Sequence, residues 1–347
     1  MFMAMTAMLI ASCSSDDVVS TNTGRAIDFR TSVGTRGTET TTDNITKFWV
    51  TAIDEAGANY FSKQEFTKDG GFFTSSPVYY WPAGTLNFFA YSPSETDLGA
   101  TVTIDKDTKN LADFSPATEI ANQKDFVTAT ASGTRAANET NGVELTFAHQ
   151  LSQIEIKAKN TNTGYIYKVV GVRIGKPVSK GTFTFDTNKW TLTTTEKTNY
   201  AVEYATTPRT LAADAATMMG TANDNAMLLP QQLVAWTPET DKANTNKGAY
   251  IALKIQITTK DGARVYPAKA KGDYDWAAVA INTKWEAGKK YVYTLDFSNG
   301  AGKVDPEKPE PTDPTDPFKP GENILGKPIK FTVEVTDWVP ADKPVEM

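Results

Sequence analysis

At 347 residues the chain is long enough for two domains of ordinary size, each burying its own core. A formal net charge of −6 provides no basic footprint, which excludes nucleic acid as a partner class. There is one histidine, His149, and one cysteine, Cys13, so an internal disulfide is impossible. Zinc, iron–sulfur and Cys/His nucleophile chemistry lack the ligands they need. No cofactor, metal site or catalytic residue is therefore expected, and the chain does not read as an enzyme.

Residues 1–13 are apolar apart from Thr6 and the closing Ser12-Cys13. About eleven apolar residues are too few for a membrane span, which takes about 20, but suit the core of a signal peptide. Small residues directly before Cys13 resemble a bacterial lipobox. That resemblance implies cleavage in front of Cys13, acylation of its thiol and attachment to the outer membrane through the lipid. Residues 14–36 then supply a Ser/Asp/Thr-rich tether and a first strand, in which Ile27, Phe29, Thr31 and Val33 alternate with polar residues. A polar, protease-accessible stretch follows, beginning at Thr35-Arg36-Gly37.

From Phe48 onward, segments of about six branched and aromatic residues, broken by Gly, Asn, Asp and Pro, predict strands rather than βαβ units. Thr101–Ile104 and Phe126–Ala129 are among them, and a domain boundary is expected in the polar stretch Ser132–Gly142. This gives an N-terminal β-sandwich over 37–140 and a C-terminal one over 141–347. In the second, Val143, Leu145, Phe147, His149 and Leu151 share one parity and Ile154 and Ile156 the other. That phase change predicts a bulge or kink at Ser152-Gln153. Asp186–Lys189 reads as a hairpin turn, and Ala212–Met219 as a weak helix.

Pro306, Pro309, Pro311, Pro314, Pro317 and Pro320 make residues 303–320 an extended linker with a reach of roughly 50 Å. It carries a terminal strand, 329–339, with Ile329, Phe331, Val333 and Val335 on one face. A strand at each end of the chain, each on a leash, suits exchange between molecules. A sheet deprived of a strand exposes backbone groups and an apolar groove that another extended segment can fill.

Several motifs resemble the fimbrillin family, the subunits of type V pili and their Mfa-like relatives. They are Tyr80-Trp81-Pro82 with Leu86–Pro93, Leu145–Ser152, Met227–Gln231, Trp285–Leu295 and Phe331–Trp338. The resemblance implies an all-β protein of two transthyretin-like, Greek-key β-sandwich domains. It implies a fimbrial subunit at the cell outer membrane, supporting adhesion and partnered by other fimbrial subunits. It further implies an arginine-specific protease that frees the first strand, and donation of a neighbour's C-terminal segment into the groove. Mapped here, the bond cut is Arg36-Gly37, with Arg25 and Arg30 as competing sites and Arg30 disfavoured because a cut there would split the strand, and the donor residues are Ile329, Phe331, Val333 and Val335. The alternative is a tip adhesin or carbohydrate-binding surface lipoprotein that meets glycans or proteins without polymerising.

Other residues carry plainer expectations. His149 shares the parity of Leu145 and Phe147, so it should face the core with a hydrogen-bond partner. Asp105–Lys109 lacks the glycine and glutamate of a calcium loop and reads as a solvated turn. Trp49, Tyr79, Tyr80, Trp81 and Phe88 could form a sugar platform, but aromatics at strand spacing more often fill a core.

Overall fold

Alternating apolar residues and closely spaced turn formers give strands almost throughout, and the all-β expectation holds. A computed structural model describes residues 26–33, 45–204, 207–220, 225–240, 248–268, 272–309, 311 and 317–338.

The described residues between 29 and 149 form nine strands, two single-turn α-helices and a 3-10 turn at Ile120–Asn122. The strands are β1 (Phe29–Val33), β2 (Lys47–Asp54), β3 (Asn59–Asp69), β4 (Phe72–Ser75) and β5 (Leu86–Ser92), then β6 (Thr101–Ile104), β7 (Lys109–Phe114), β8 (Val127–Gly133) and β9 (Val143–His149). The helices are α1 (Glu95–Leu98) and α2 (Arg135–Asn138). Seven strands close a barrel in the order β1-β4-β3-β2-β5-β8-β9, while β6 and β7 leave it as a hairpin. Closure depends on β1, which runs parallel to β9 and antiparallel to β4. The N-terminal unit is thus a closed barrel, because β1 joins edges that an open sandwich would leave apart.

The second half contributes β10 (Ser152–Lys159), β11 (Tyr165–Gly175), β12 (Gly181–Thr184), β13 (Lys189–Leu192), β14 (Tyr200–Glu203), β15 (Arg209–Thr210) and β16 (Ala216–Met219). It continues with β17 (Ala226–Leu228), β18 (Tyr250–Thr259), β19 (Arg264–Tyr266), β20 (Asp275–Ala280), β21 (Lys289–Asp296), β22 (Lys303–Val304) and β23 (Lys330–Asp337). One sheet runs β16-β10-β21-β23 and another β14-β11-β18-β20-β22. Ile154, Ile156, Val172, Ile251, Leu253, Tyr293 and Leu295 from both sheets meet in one core. The stretch 212–219 ends in strand β16 on β10 rather than a helix, since pairing there buries Met218 and Met219.

A further sheet, β13-β12-β7-β6, draws strands from both halves, with Phe183 opposite Leu111. Around it Ile53, Tyr91, Leu111, Phe126, Phe183, Leu229 and Trp338 form a core between barrel and sandwich. The expected boundary at 132–142 holds α2 and is followed by β9, which returns to the barrel. The chain leaves the barrel only after His149, and the change of phase near Ser152 marks that passage between units rather than a bulge. The Asp186–Lys189 turn does join the β12–β13 hairpin, with Asn188 at φ 54°.

Phe29 is completely buried, with ring centroids 4.7 Å from Phe66, 5.1 Å from Phe88 and 6.0 Å from Phe48, all nearly edge-on. Phe29→Ala should destabilise the barrel by about 3–5 kcal/mol. Arg30→Ala, on the exposed face, should cost less than about 1 kcal/mol. Urea unfolding followed by barrel-specific amide exchange checks both.

Candidate functional site

The site is built from the seat of β1, the segment after β22, and the edge occupied by β23. The seat of β1 has a backbone and a side-chain part. Phe29 through Val33 lie opposite Val143 through Phe147 on β9, and Phe29 lies opposite Phe73 on β4. Before the strand proper, Ile27 N donates to Tyr79 O (2.8 Å), and Val143 N donates to Asp28 O (2.9 Å). Gly142, at φ +71°, allows this approach, since a Cβ there would stand 3.0 Å from Asp28 O and 3.3 Å from the Phe72 ring. Arg30 lies over Phe72 at 4.7 Å on the outer face.

The Pro-rich segment does not run out to a remote strand. Val304 N donates to Glu322 O (2.9 Å) and Gly321 N to Val304 O (3.0 Å), so both ends of residues 305–320 meet. The pairing continues through Ala301 N to Leu325 O, Ile324 N to Gly302 O and Lys327 N to Asn299 O. Residues 299–304 and 321–327 therefore pair as an irregular hairpin. A buried charge cluster holds its root. Arg173 Nη2 donates to Asp305 Oδ1 at 2.5 Å and its guanidinium lies 4.5 Å from the Trp276 ring centre. Lys176 pairs with Glu307 (3.3 Å), Asn199 donates to the same carboxylate, and Tyr250 donates its hydroxyl hydrogen to it.

Burial alone would lower the Arg173 pKa, but the charges of Asp305 and its neighbours raise it, so the guanidinium stays protonated. Burial pushes the Tyr250 hydroxyl well up, which keeps it a donor. Burial would likewise raise Glu307, yet the Tyr250 hydrogen bond, Arg173, Asn199 and Lys176 outweigh it and hold the carboxyl below its ordinary value.

β23 pairs antiparallel with β21 along its whole length, from Lys289 opposite Asp337 to Asp296 opposite Lys330. Among the described residues its other edge pairs with no strand. Of the expected donor residues Ile329 is buried, Phe331 and Val333 are half-buried against the sandwich core, and Val335 is 51% exposed. Past the strand, Trp338 is completely buried between the two units. Its backbone N–H donates to Gly288 O (2.9 Å) and its ring stacks on His149 at 4.4 Å and 13°. His149 donates from Nδ1 to Asp125 Oδ2 (2.9 Å), so it is the hydrogen-bonded core histidine its parity suggests. It joins β9, which seats β1, to the end of the last strand.

Cys13, Arg36 and Gly37 lie outside the described residues. Of the aromatic set, Phe88 and Trp81 are buried in the barrel core, Trp49 and Tyr79 are half-buried, and Tyr80 is 38% exposed. Asp105–Thr108 is the tight turn between β6 and β7, with Asp105 Oδ1 accepting from Asp107 N and Thr108 N. Among the described residues no group of three or more His, Cys, Asp or Glu could hold a metal. The charge cluster around Arg173 escapes sequence reading. Its partners lie 57 to 132 residues apart, and the proline density around Asp305 and Glu307 signals solvent rather than burial.

A closed all-β barrel whose closing strand is unattached to its neighbours by any turn, joined to a sandwich with an open edge, defines a protein suited to strand addition. The chain belongs to the fimbrillin-like family, whose profile matches residues 35–338. It is similar to the structure of a fimbrial protein from Bacteroides vulgatus, at 16% identity and TM-score 0.57, covering 91% of this chain and 100% of that one. A candidate cell adhesion protein from Bacteroides eggerthii gives 14% identity and TM-score 0.51, over 91% and 97%. One from Parabacteroides distasonis gives 11% and 0.51, over 92% and 98%. No curated protein matches the chain. The membership supports a role in a surface fimbrium or in cell adhesion, together with other fimbrial subunits.

Asp305→Ala leaves Arg173 buried and unpaired and should destabilise the sandwich by about 3–5 kcal/mol. It should also speed exchange of the Val304 and Ile324 amides. Glu307 titrates below its ordinary value, so its contribution is complete above about pH 4.3 and is lost as pH falls through the depressed folded pKa. Stability measured between pH 6 and 3 should therefore fall less steeply in Glu307→Gln than in the parent chain.

Proposed function

We propose that this chain is a structural subunit of a bacterial surface fimbria, exported as a lipoprotein on Cys13, cut after Arg36 and assembled by strand exchange. The observation that carries the reading is the seat of β1. It is filled by a strand that provides the central Phe29 yet is tied to its neighbours only by ladder hydrogen bonds and packing. Once the chain is cut between β1 and β2, nothing covalent would keep β1 in the barrel. Its departure would open an apolar slot flanked by the bare edges of β9 and β4. β23, exposed along one edge, is the donor, with Ile329, Phe331, Val333 and Val335 as its inserting face. Before cutting, the lipid on Cys13 would hold the subunit at the outer membrane; an arginine-specific protease would release it.

A second reading, a tip subunit or surface adhesin that accepts a strand and keeps its own, is favoured by the burial of Ile329 and Trp338. Extracting β23 would expose both and unstack His149. In that reading adhesion to glycans or proteins is the working activity.

The test is the mass and N-terminal sequence of the mature protein recovered from its native cell surface. A start at Gly37 is expected for an assembling subunit. An acylated Cys13 still attached to the chain would overturn the cleavage and favour a lipid-anchored adhesin.

A further inference from the structure

Between the end of β11 and the approach to β14, a lysine, a carboxamide and a carboxylate meet. Lys176 Nζ lies 3.3 Å from Glu307 Oε1. Asn199 Nδ2 donates to the same Oε1 at 3.0 Å and to Oε2 at 2.8 Å. On its other side the carboxamide oxygen, Asn199 Oδ1, accepts from the Lys176 backbone N–H (3.3 Å), a donor shared with Thr198 O (3.1 Å). The lysine and glutamate side chains are only 14% and 23% exposed, and the completely buried Tyr250 caps the carboxylate with its hydroxyl. Lys176 also holds φ 58°, in the left-handed region, and a non-glycine residue kept there is a sign of local constraint.

We propose that these residues form a covalent staple: Lys176 Nζ displaces ammonia from the Asn199 carboxamide, joining the two side chains by an amide bond, with Glu307 carrying the proton. The Lys176 ammonium first passes a proton to Glu307, which leaves Nζ a neutral nucleophile. Nζ then attacks Asn199 Cγ, and the carbonyl electron pair moves onto Oδ1, which faces the Lys176 backbone N–H. Glu307 delivers its proton to Nδ2, the Cγ–Nδ2 bond breaks, and Nζ gives its remaining excess proton to the departing ammonia. An ammonium and a carboxamide thus become a secondary amide and an ammonium ion. Glu307 ends as a carboxylate again, and no oxidant or cofactor is consumed.

Glu307 is held below its ordinary value, so at neutral pH it is in the ionised form that the first step requires. Such a carboxylate is a weak base, which makes the reaction slow. Contact with both reactants at once offsets this, because no encounter between them has to be awaited. The product has a mechanical meaning. Lys176 follows β11 and Asn199 precedes β14, the neighbouring strand at the edge of its sheet. Residues 177–198, which the staple would close, contain the β12–β13 hairpin that reaches across to β7. The hairpin shared by the two halves of the molecule would thus be clamped at its base. The staple acts within one chain and is independent of how subunits join.

The test is intact mass and tryptic mapping of the folded full chain carrying Cys13→Ser, before and after prolonged incubation. The expected result is a branched species joining residues 174–180 to 198–209, lighter by one ammonia than the two peptides together. Glu307→Gln keeps a hydrogen-bonding side chain but accepts no proton, and should slow formation by about a hundredfold or more. Lys176→Arg keeps the positive charge beside Glu307 and should abolish the linkage. If a variant does not fold, the map of the parent chain decides alone. Linear peptides only, with Asn199 intact after incubation, would overturn the staple. Asn199 converted to aspartate without a branch would overturn it as well, by showing water to be the nucleophile. Linkage at an equal rate in Glu307→Gln would overturn the proton-carrying role, and ammonia loss that persists in Lys176→Arg would overturn Lys176 as the attacking group.

Discussion

A strand that closes a barrel without a turn to either neighbour is held by sheet hydrogen bonds and by what it buries. β1 is in that position: β9, its parallel partner, arrives only at Val143, and β4 lies beyond two other strands. Parallel neighbours cannot be joined by a tight hairpin, so this closure is necessarily made at long range. Phe29 compensates with side-chain contact, sitting among Phe48, Phe66 and Phe88 at the barrel's centre. The same geometry leaves β1 held in the barrel by its ladder hydrogen bonds and by the packing of Phe29.

The rest of the molecule is arranged around the two strands that border this seat and the strand at the far end of the chain. β9 carries His149 out of the barrel, where it meets Asp125 and the Trp338 ring. The β12–β13 hairpin reaches across to β7, so the two halves share a sheet as well as a core. The buried Arg173–Asp305 pair then anchors the root of the proline-rich hairpin, which fixes where β23 begins. Such a pair is weak evidence for net stability but strong evidence for geometry, because separating it leaves a charge stranded.

Most of the strands were legible in the sequence because side-chain alternation directly reports a half-buried pleat. Ile251, Leu253, Ile255 and Ile257 form β18 as their spacing predicts, and Thr101–Ile104 is β6. His149 in the core and the turn at Asp105 also follow from parity and turn chemistry. Where reading failed, a local signal met a distant partner. Polar residues 132–142 resemble a boundary, yet the barrel still needed β9. Six prolines resemble a leash, yet Val304 pairs with Gly321 and Asp305 is drawn under Arg173.

By itself the sequence determined an all-β chain, strands at both ends, and which face of each strand is apolar. Composition and period are sufficient for that, since they act within a few residues. Only the tertiary structure decided that β1 closes a barrel, that residues 299–304 pair with 321–327, and that the last strand lies on β21 with Trp338 inside. Alternation assigns a strand its inner face but not its neighbour; the neighbour is chosen by contacts between residues far apart in the chain.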